Sequence, residues 1–363
     1  MDTTGKKLCE YLVICLFFAL CLFFSLGMLL PGAAEAADAG ELPRLVTEEG
    51  LSPTWRDDFE NWFAEHFAYR DTLVDAFSLF REKVFRTGND QVIAGRDDFL
   101  FYAETLNCYT GADPMTDEEL NAAADALANL SDYAASHGVK FVFLCAPNKN
   151  TVYPDKMPAT VPRADGPSDL DRLLPLLAER GVAAVDVRGV LAEAARTELV
   201  YHKRDTHWNA EGARIAAAAV LAAAGEAVPP WMEQPLTVLT HDFEGDLDAL
   251  LYPGRTRYDE DFVLALEDGF MYRGNYRTPM DMKVETQNLF AAGAGGSVLM
   301  FRDSFANALI PMFGNAYGKA VFSRANPYRL DWLENEEYDL VVAEIAERNL
   351  RDLIGSDGRI AGE

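Results

Sequence analysis

The sequence has 363 residues, with 32 Lys+Arg against 58 Asp+Glu and a formal charge of −26. That balance argues against a nucleic-acid binder, because phosphate neutralisation needs clustered Lys and Arg and no basic run stands out. With 49% hydrophobic residues there is enough apolar surface to offset ordering entropy, which excludes disorder as the main state.

Lys6 and Lys7 precede Tyr11 to Leu30, an apolar run without a charge. About 20 apolar helical residues span a bilayer core, and preceding positive charge keeps the N-terminus inside. Residues 1–32 are therefore expected to be an N-terminal signal anchor, with a linker at 33–50 and everything after Pro31 extracytoplasmic. Cleavage is the alternative, because Ala33 to Ala39 resembles the small-residue site of a signal peptide. The apolar run exceeds the usual secretory core of about 7–15 residues, which favours the anchor. Of five cysteines, Cys9, Cys15 and Cys21 lie in or beside that run. Cys108 and Cys145 remain for the exported portion, where a disulfide is one option and a small buried hydrophobe is the favoured reading of Cys145. No CxxC or Cys/His spacing suggests zinc, and no metal or cofactor is expected.

From Thr54 to Phe85 the aromatic and aliphatic residues recur at helical intervals, predicting one or two amphipathic helices. Gln91 to Tyr102 reads as two short strands around a turn. The chain then alternates. Glu118 to His137 is helical and stops at Gly138, and Val139 to Ala146 is apolar except for Lys140 and shows no alternation, the mark of a strand covered on both faces. Helix 169–180, strand 182–187, helix 210–224, strand 297–301, helix 305–313 and strand 338–345 continue the pattern. Such alternation means βαβ units, so the expected fold is α/β, a three-layer α/β/α domain over 51–363 with a mainly parallel sheet. Residues 228–292 break the rhythm and are expected to be an irregular insertion.

Histidine is scarce, and a general base near neutral pH is most often His. His66, His137 and His241 sit in structural contexts. His207 follows Asp205 by two residues, just before a helix whose expected N-cap is Asn209. In an extended segment both side chains leave one face, so the carboxylate can take the Nδ1 proton and leave Nε2 as base. A nucleophile is expected on a strand-to-helix corner above the carboxyl ends of a parallel sheet. Ser304, after the strand Ser297 to Phe301, stands there, with an ordinary N-cap as its structural alternative. At a third strand end, Asn148 is a candidate oxyanion donor and Lys149 a candidate ligand for a substrate oxygen.

These residues resemble a family. Asp205-Thr206-His207-Trp208, Asp303-Ser304-Phe305, Pro147-Asn148-Lys149 with Tyr153-Pro154, Gly95-Arg96-Asp97 with Phe99 to Tyr102, and Trp62 to Phe67 with Arg70-Asp71 occur in the order seen in SGNH-hydrolase-like acetyltransferases of the alginate O-acetylation (AlgX/AlgJ-like) type. The related DHHW proteins share the pattern, and the similarity runs to Glu347-Arg348-Asn349-Leu350. It implies a Ser304, His207, Asp205 triad, an acetyl-serine intermediate and acetyl transfer to an extracytoplasmic polysaccharide. It also implies a multi-spanning membrane acyltransferase as acetyl supplier. Tyr102 and Arg302 join Asn148 and Lys149 as candidate oxyanion or substrate-binding residues. Arg302 departs from the small residue common two before the serine, so it is expected to bear on the corner's geometry. A carbohydrate acetyl-esterase using the same triad, and an inactive scaffold, are the alternatives.

Overall fold

The computed structural model describes residues 3–27, 41–47, 50–85, 87–233, 238–255, 257–263, 269–276, 278–289 and 295–356. It divides into two compact units, residues 1–85 with 251–256, and residues 86–250 with 257–363. The first unit holds the helix Thr3–Gly27, a two-residue hairpin at Val46–Thr47 and Gly50–Leu51, and the helices Trp55–His66 and Arg70–Phe80. The predicted amphipathic stretch is thus two helices. They are separated at Tyr69, whose φ of 60° interrupts the helical path. Along the first, Trp55, Phe59, Trp62 and His66 stack in succession. Of the predicted anchor, residues 1–2 and 28–32 lie outside the described residues, as do 33–40 and 48–49 of the predicted linker. Among the described residues no helix is long and apolar enough to cross a membrane.

The second unit opens with a hairpin of β1 (Val92–Ala94) and β2 (Leu100–Tyr102), the predicted pair. Helix α1 (Asp117–Ser136) starts at a capping box in which Thr116 and Glu119 exchange backbone donors, and ends at Gly138 with φ +73°. Strand β3 (Lys140–Ala146) follows, and every residue after Lys140 in it is buried. Helix α2 (Asp169–Glu179) and strand β4 (Ala184–Asp186) come next, then helix α3 (Ala210–Ala223), capped by the Asn209 side chain. A second hairpin, β5 (Val238–Glu244) with β6 (Tyr258–Val263), is followed by β7 (Phe270–Tyr272), β8 (Lys283–Asn288) and β9 (Ser297–Phe301). Helix α4 (Ile310–Ala316), β10 (Lys319–Ser323) and β11 (Leu340–Ala346) complete it.

The main sheet has seven strands in the order β4-β3-β11-β9-β10-β8-β7. The pairings among β4, β3, β11, β9 and β10 are parallel, while β8 joins β10, and β7 joins β8, antiparallel. One core lies between the sheet and α3 with α4, through Val142, Leu144, Met300, Ala216, Val220 and Phe313. The other lies between the sheet and α1 with α2, through Phe143, Leu299, Val341, Leu127 and Leu173. This is the three-layer mainly parallel α/β fold expected from the alternation.

Two expectations are corrected. Residues 228–292 are not wholly an insertion, because β7 and β8 within that range extend the main sheet. Their polar, mixed sequence goes with partial burial at this end of the sheet, where β7 is the edge strand and β8 its neighbour. The helix expected over 305–313 begins as a 3₁₀ turn, Phe305–Leu309, and becomes α-helical at Ile310.

Candidate active site

The corner that carries Ser304 is built by a neighbour of the serine. Asp303 Oδ1 accepts from the Phe305 amide at 2.9 Å, and Asp303 Oδ2 accepts from the Ala346 amide at 2.8 Å and from Asn349 Nδ2 at 3.2 Å. Asp303 therefore does the capping and ties the end of β9 to the end of β11. The Ser304 hydroxyl makes no capping bond and is left for other chemistry. It pairs with His207 Nε2 at 2.8 Å. Arg302 does not distort the corner. It is buried, with Nη1 donating to Asp303 O and Asn307 Oδ1 and Nη2 donating to Pro279 O at 2.5 Å. Its Nε is buried with no partner among the described residues.

His207 is held in a tight turn. Asp205 Oδ1 accepts from the backbone amide of His207 at 2.8 Å and faces its ring Nδ1 at 2.8 Å. The two side chains meet through a side-chain-to-backbone turn, and not through the extended segment that the spacing suggested. Trp208 then donates Nε1 to Phe305 O at 2.8 Å, pinning the base segment to the residue after the nucleophile. Asn209 caps α3 by accepting from the amides of Glu211 and Gly212, both at 3.1 Å.

Lys149, a candidate for holding a substrate oxygen, is buried beneath this turn. Its Nζ donates to the carbonyls of His202 at 3.1 Å, Lys203 at 2.9 Å and Asp205 at 2.5 Å. Burial lowers its pKa to about 7, against the opposing charges of Asp205, Asp246 and Asp259. It supports the loop and has no donor to spare for a ligand. Asn148 is also fully buried. Its backbone amide donates to Glu347 Oε2 at 2.8 Å, and its side-chain amide has no partner among the described residues and lies beside the Cys108 thiol. A cleft on that side is lined by Cys108, Thr151, Arg163, Arg188 and Glu347, and not by Ser304 or His207. Tyr102 is half-buried, its ring under the Arg348 guanidinium at 5.5 Å.

Sequence reasoning missed three contributors. Asp246 approaches His207 Nδ1 to 3.7 Å. Asp248 pairs with Arg204 inside the protein, both side chains almost wholly buried, while Asp98 takes another guanidinium nitrogen at 3.0 Å. Arg348 lies over the Phe305 and Tyr102 rings at 5.4 and 5.5 Å, and its Nη1 is buried without a partner among the described residues. The signal for the first two was Gly245-Asp246-Leu247-Asp248, a glycine and paired acids inside an otherwise irregular stretch.

Electrostatics suit a general base. Burial pulls the His207 pKa down, but the Asp205 and Asp246 carboxylates outweigh it, leaving it above the ordinary imidazole value. Asp205 is pushed up by burial, yet its hydrogen bond and charge interaction with His207 hold it far below the carboxylate range. The other histidines play structural parts. His66 Nδ1 meets Trp62 O at 2.7 Å, His137 Nδ1 meets Tyr133 O at 3.0 Å, and His202 stacks on Phe243. Cys108 and Cys145 are both free thiols.

A parallel α/β sheet with a serine, a histidine and an aspartate at its carboxyl edge is the arrangement of an SGNH-hydrolase-like fold. Residues 92–267 match the family model described as the SGNH hydrolase-like domain of acetyltransferase AlgX. That range includes Asp205, His207 and Asp246 and ends before Ser304. Over it the chain resembles the AlgX/AlgJ-like family. The probable alginate O-acetylase AlgJ of Pseudomonas syringae pv. tomato is 24% identical over 215 residues, covering 55% of this chain and 51% of the relative. The AlgJ of Pseudomonas putida is 27% identical over 161 residues, covering 44% and 41%. The chain thus spans about half the length of these curated relatives. Among solved structures, Bacillus cereus PatB1 with a sulfonyl adduct aligns at a TM-score of 0.51 and 13% identity, over 71% of this chain and 97% of that one. That likeness speaks to the fold.

Proposed function

We propose that this protein is an O-acetyltransferase acting on an extracytoplasmic polysaccharide through an acetyl-serine intermediate. The observation that carries the reading is the Ser304 Oγ to His207 Nε2 contact of 2.8 Å, backed by Asp205 on Nδ1 at 2.8 Å. In the first step His207 takes the Ser304 proton as Oγ attacks the acetyl carbonyl, and Asp205 stabilises the imidazolium that forms. His207 then returns the proton to the departing donor oxygen. In the second step it removes the proton of a sugar hydroxyl, whose oxygen attacks the acetyl-serine carbonyl; the carbonyl–Oγ bond breaks, and His207 returns that proton to Ser304 Oγ as the acetylated sugar leaves. Arg348, whose charge acts on His207, lies over two aromatic rings with its buried Nη1 without a partner among the described residues, and could donate to the developing oxyanion.

The similarity to alginate O-acetylases supports a polysaccharide acceptor and transfer over hydrolysis. Water reaching the same intermediate would make the protein a carbohydrate acetyl-esterase, and esterase side activity belongs to this reading. The apolar run at Tyr11 to Leu30 supports single-pass anchoring with residues 51–363 extracytoplasmic, where a multi-spanning acyltransferase supplies acetyl groups. The test is Ser304→Ala against a chromogenic acetyl ester, with and without an oligosaccharide acceptor. Loss of turnover and of acetylated sugar is expected. Unchanged turnover in the variant would remove Ser304 from the mechanism.

A further inference from the structure

We propose that Asp246 is a second positioning carboxylate for His207, delivered to the triad by the β5–β6 segment and interlocked with Asp205. The inference rests on the triad reading above and adds a residue to it. Two backbone-to-carboxylate bonds run in opposite directions between the segments. The Asp246 amide donates to Asp205 Oδ2 at 2.8 Å, and the Thr206 amide donates to Asp246 Oδ1 at 2.7 Å, with Thr206 Oγ1 adding a bond at 3.1 Å. Each aspartate thus fixes the other's loop. Asp246 Oδ2 is left facing His207 Nδ1 at 3.7 Å, next to the Asp205 oxygen at 2.8 Å.

The approach depends on Gly245. A Cβ there would sit 2.2 Å from Arg204 O and 2.6 Å from Arg204 C, so only glycine lets the segment reach the turn that carries Asp205. The Asp248 ion pair with Arg204 and the Asp248 amide bond to Arg204 O at 3.2 Å lock the next turn of chain to the same place. A stretch that needed only to fill surface would not converge four bonds and a close glycine contact on the residues flanking a base.

The chemical consequence is electrostatic. After proton abstraction the imidazolium lies between the Ser304 oxygen and two carboxylates, with Arg348 the opposing cation. Asp246 itself is faced by Asp205, His207 and Thr206 and, at longer range, by Tyr102 and Lys149. Its charge favours protonated His207. Replacing it with a neutral isostere therefore weakens that preference and shifts base titration to lower pH.

The experiment combines NMR titration of the His207 ring in the full-length protein with the pH profile of acetyl-ester turnover. Asp246→Asn, which retains an oxygen for Thr206, is expected to lower the His207 midpoint by roughly one pH unit and to move the acid limb of kcat/KM with it. Asp246→Glu should restore the limb towards the wild-type position. Asp205→Asn with Asp246→Asn should turn over at least about tenfold more slowly than Asp205→Asn alone, since the remaining carboxylate is then gone. An unmoved His207 midpoint in Asp246→Asn, or equal rates for the single and double variants, would overturn the proposal. The NMR midpoint is independent of whether Ser304 is the nucleophile, so failure here and failure of the acetyltransferase reading give different results.

Discussion

Lys149 sits under the catalytic turn at a measurable cost. Its three donors match three carbonyl oxygens, but no carboxylate among the described residues touches the ammonium, and the side chain is almost wholly removed from water. Its pKa falls from 10.5 to about 7. Between those values the unfolded chain holds a proton that the folded chain has released, so stability must rise with pH across that window. The slope approaches about 1.4 kcal/mol per pH unit above pH 7, which integrates to roughly 2 kcal/mol between pH 7 and 9. Lys149→Met keeps the length and removes the titration. Urea unfolding of both proteins from pH 6.5 to 9 should show the wild type gaining about that much relative to the variant. Near neutral pH the variant should be no less stable than the wild type by more than about 1 kcal/mol, because the charge-burial cost and the lost hydrogen bonds offset each other. Turnover should nevertheless fall, since the turn carrying Asp205 and His207 has lost its support. Parallel stability curves across that pH range would refute the argument.

Two more outcomes follow from buried charge. Asp248→Asn breaks a pair in which both side chains are almost wholly buried, and should cost about 3–5 kcal/mol in urea unfolding, with a loss below about 1 kcal/mol contradicting it. Glu344 accepts from the Asp303 amide at 3.1 Å, and burial raises its pKa well above the carboxylate range. The folded state keeps its proton after the unfolded state has lost it, so Glu344 costs stability as pH rises past about 4.5. Glu344→Gln should flatten that decline, and an unchanged pH dependence would contradict the assignment.

Strands β3, β9 and β11 were legible because they are buried on both faces and read as mainly apolar runs, as in Phe141 to Ala146. Helix limits were legible where a cap or a glycine marks them, as at Gly138 and Asn209, while the Thr116 cap, two residues before the expected start at Glu118, came from the structure. Strands β7, β8 and β10 were not. The first two are partly exposed, β7 at the sheet edge and β8 next to it, and β10 is five residues long with Lys319 and Ser323 at its ends. At the site, Ser304, His207 and Asp205 carry chemistry in their residue types and could be named. Lys149 and Arg302 could not be told from ligand-binding groups, because only the fold reveals which carbonyls they meet. Asp246 could not be placed either, since it reaches the triad across 41 residues of chain through backbone bonds.

The central claim is that Ser304 carries the acetyl group. The direct measurement is peptide mapping by mass spectrometry after brief exposure of the full-length protein to a chromogenic acetyl ester, in the wild type, Ser304→Ala and His207→Ala. Acetyl on the peptide containing Ser304 in the wild type, absent from both variants and released on adding an oligosaccharide that becomes acetylated, is the predicted result. Acetyl transfer to the oligosaccharide that persists in Ser304→Ala, or acetyl carried on another residue at the rate of turnover, would contradict it.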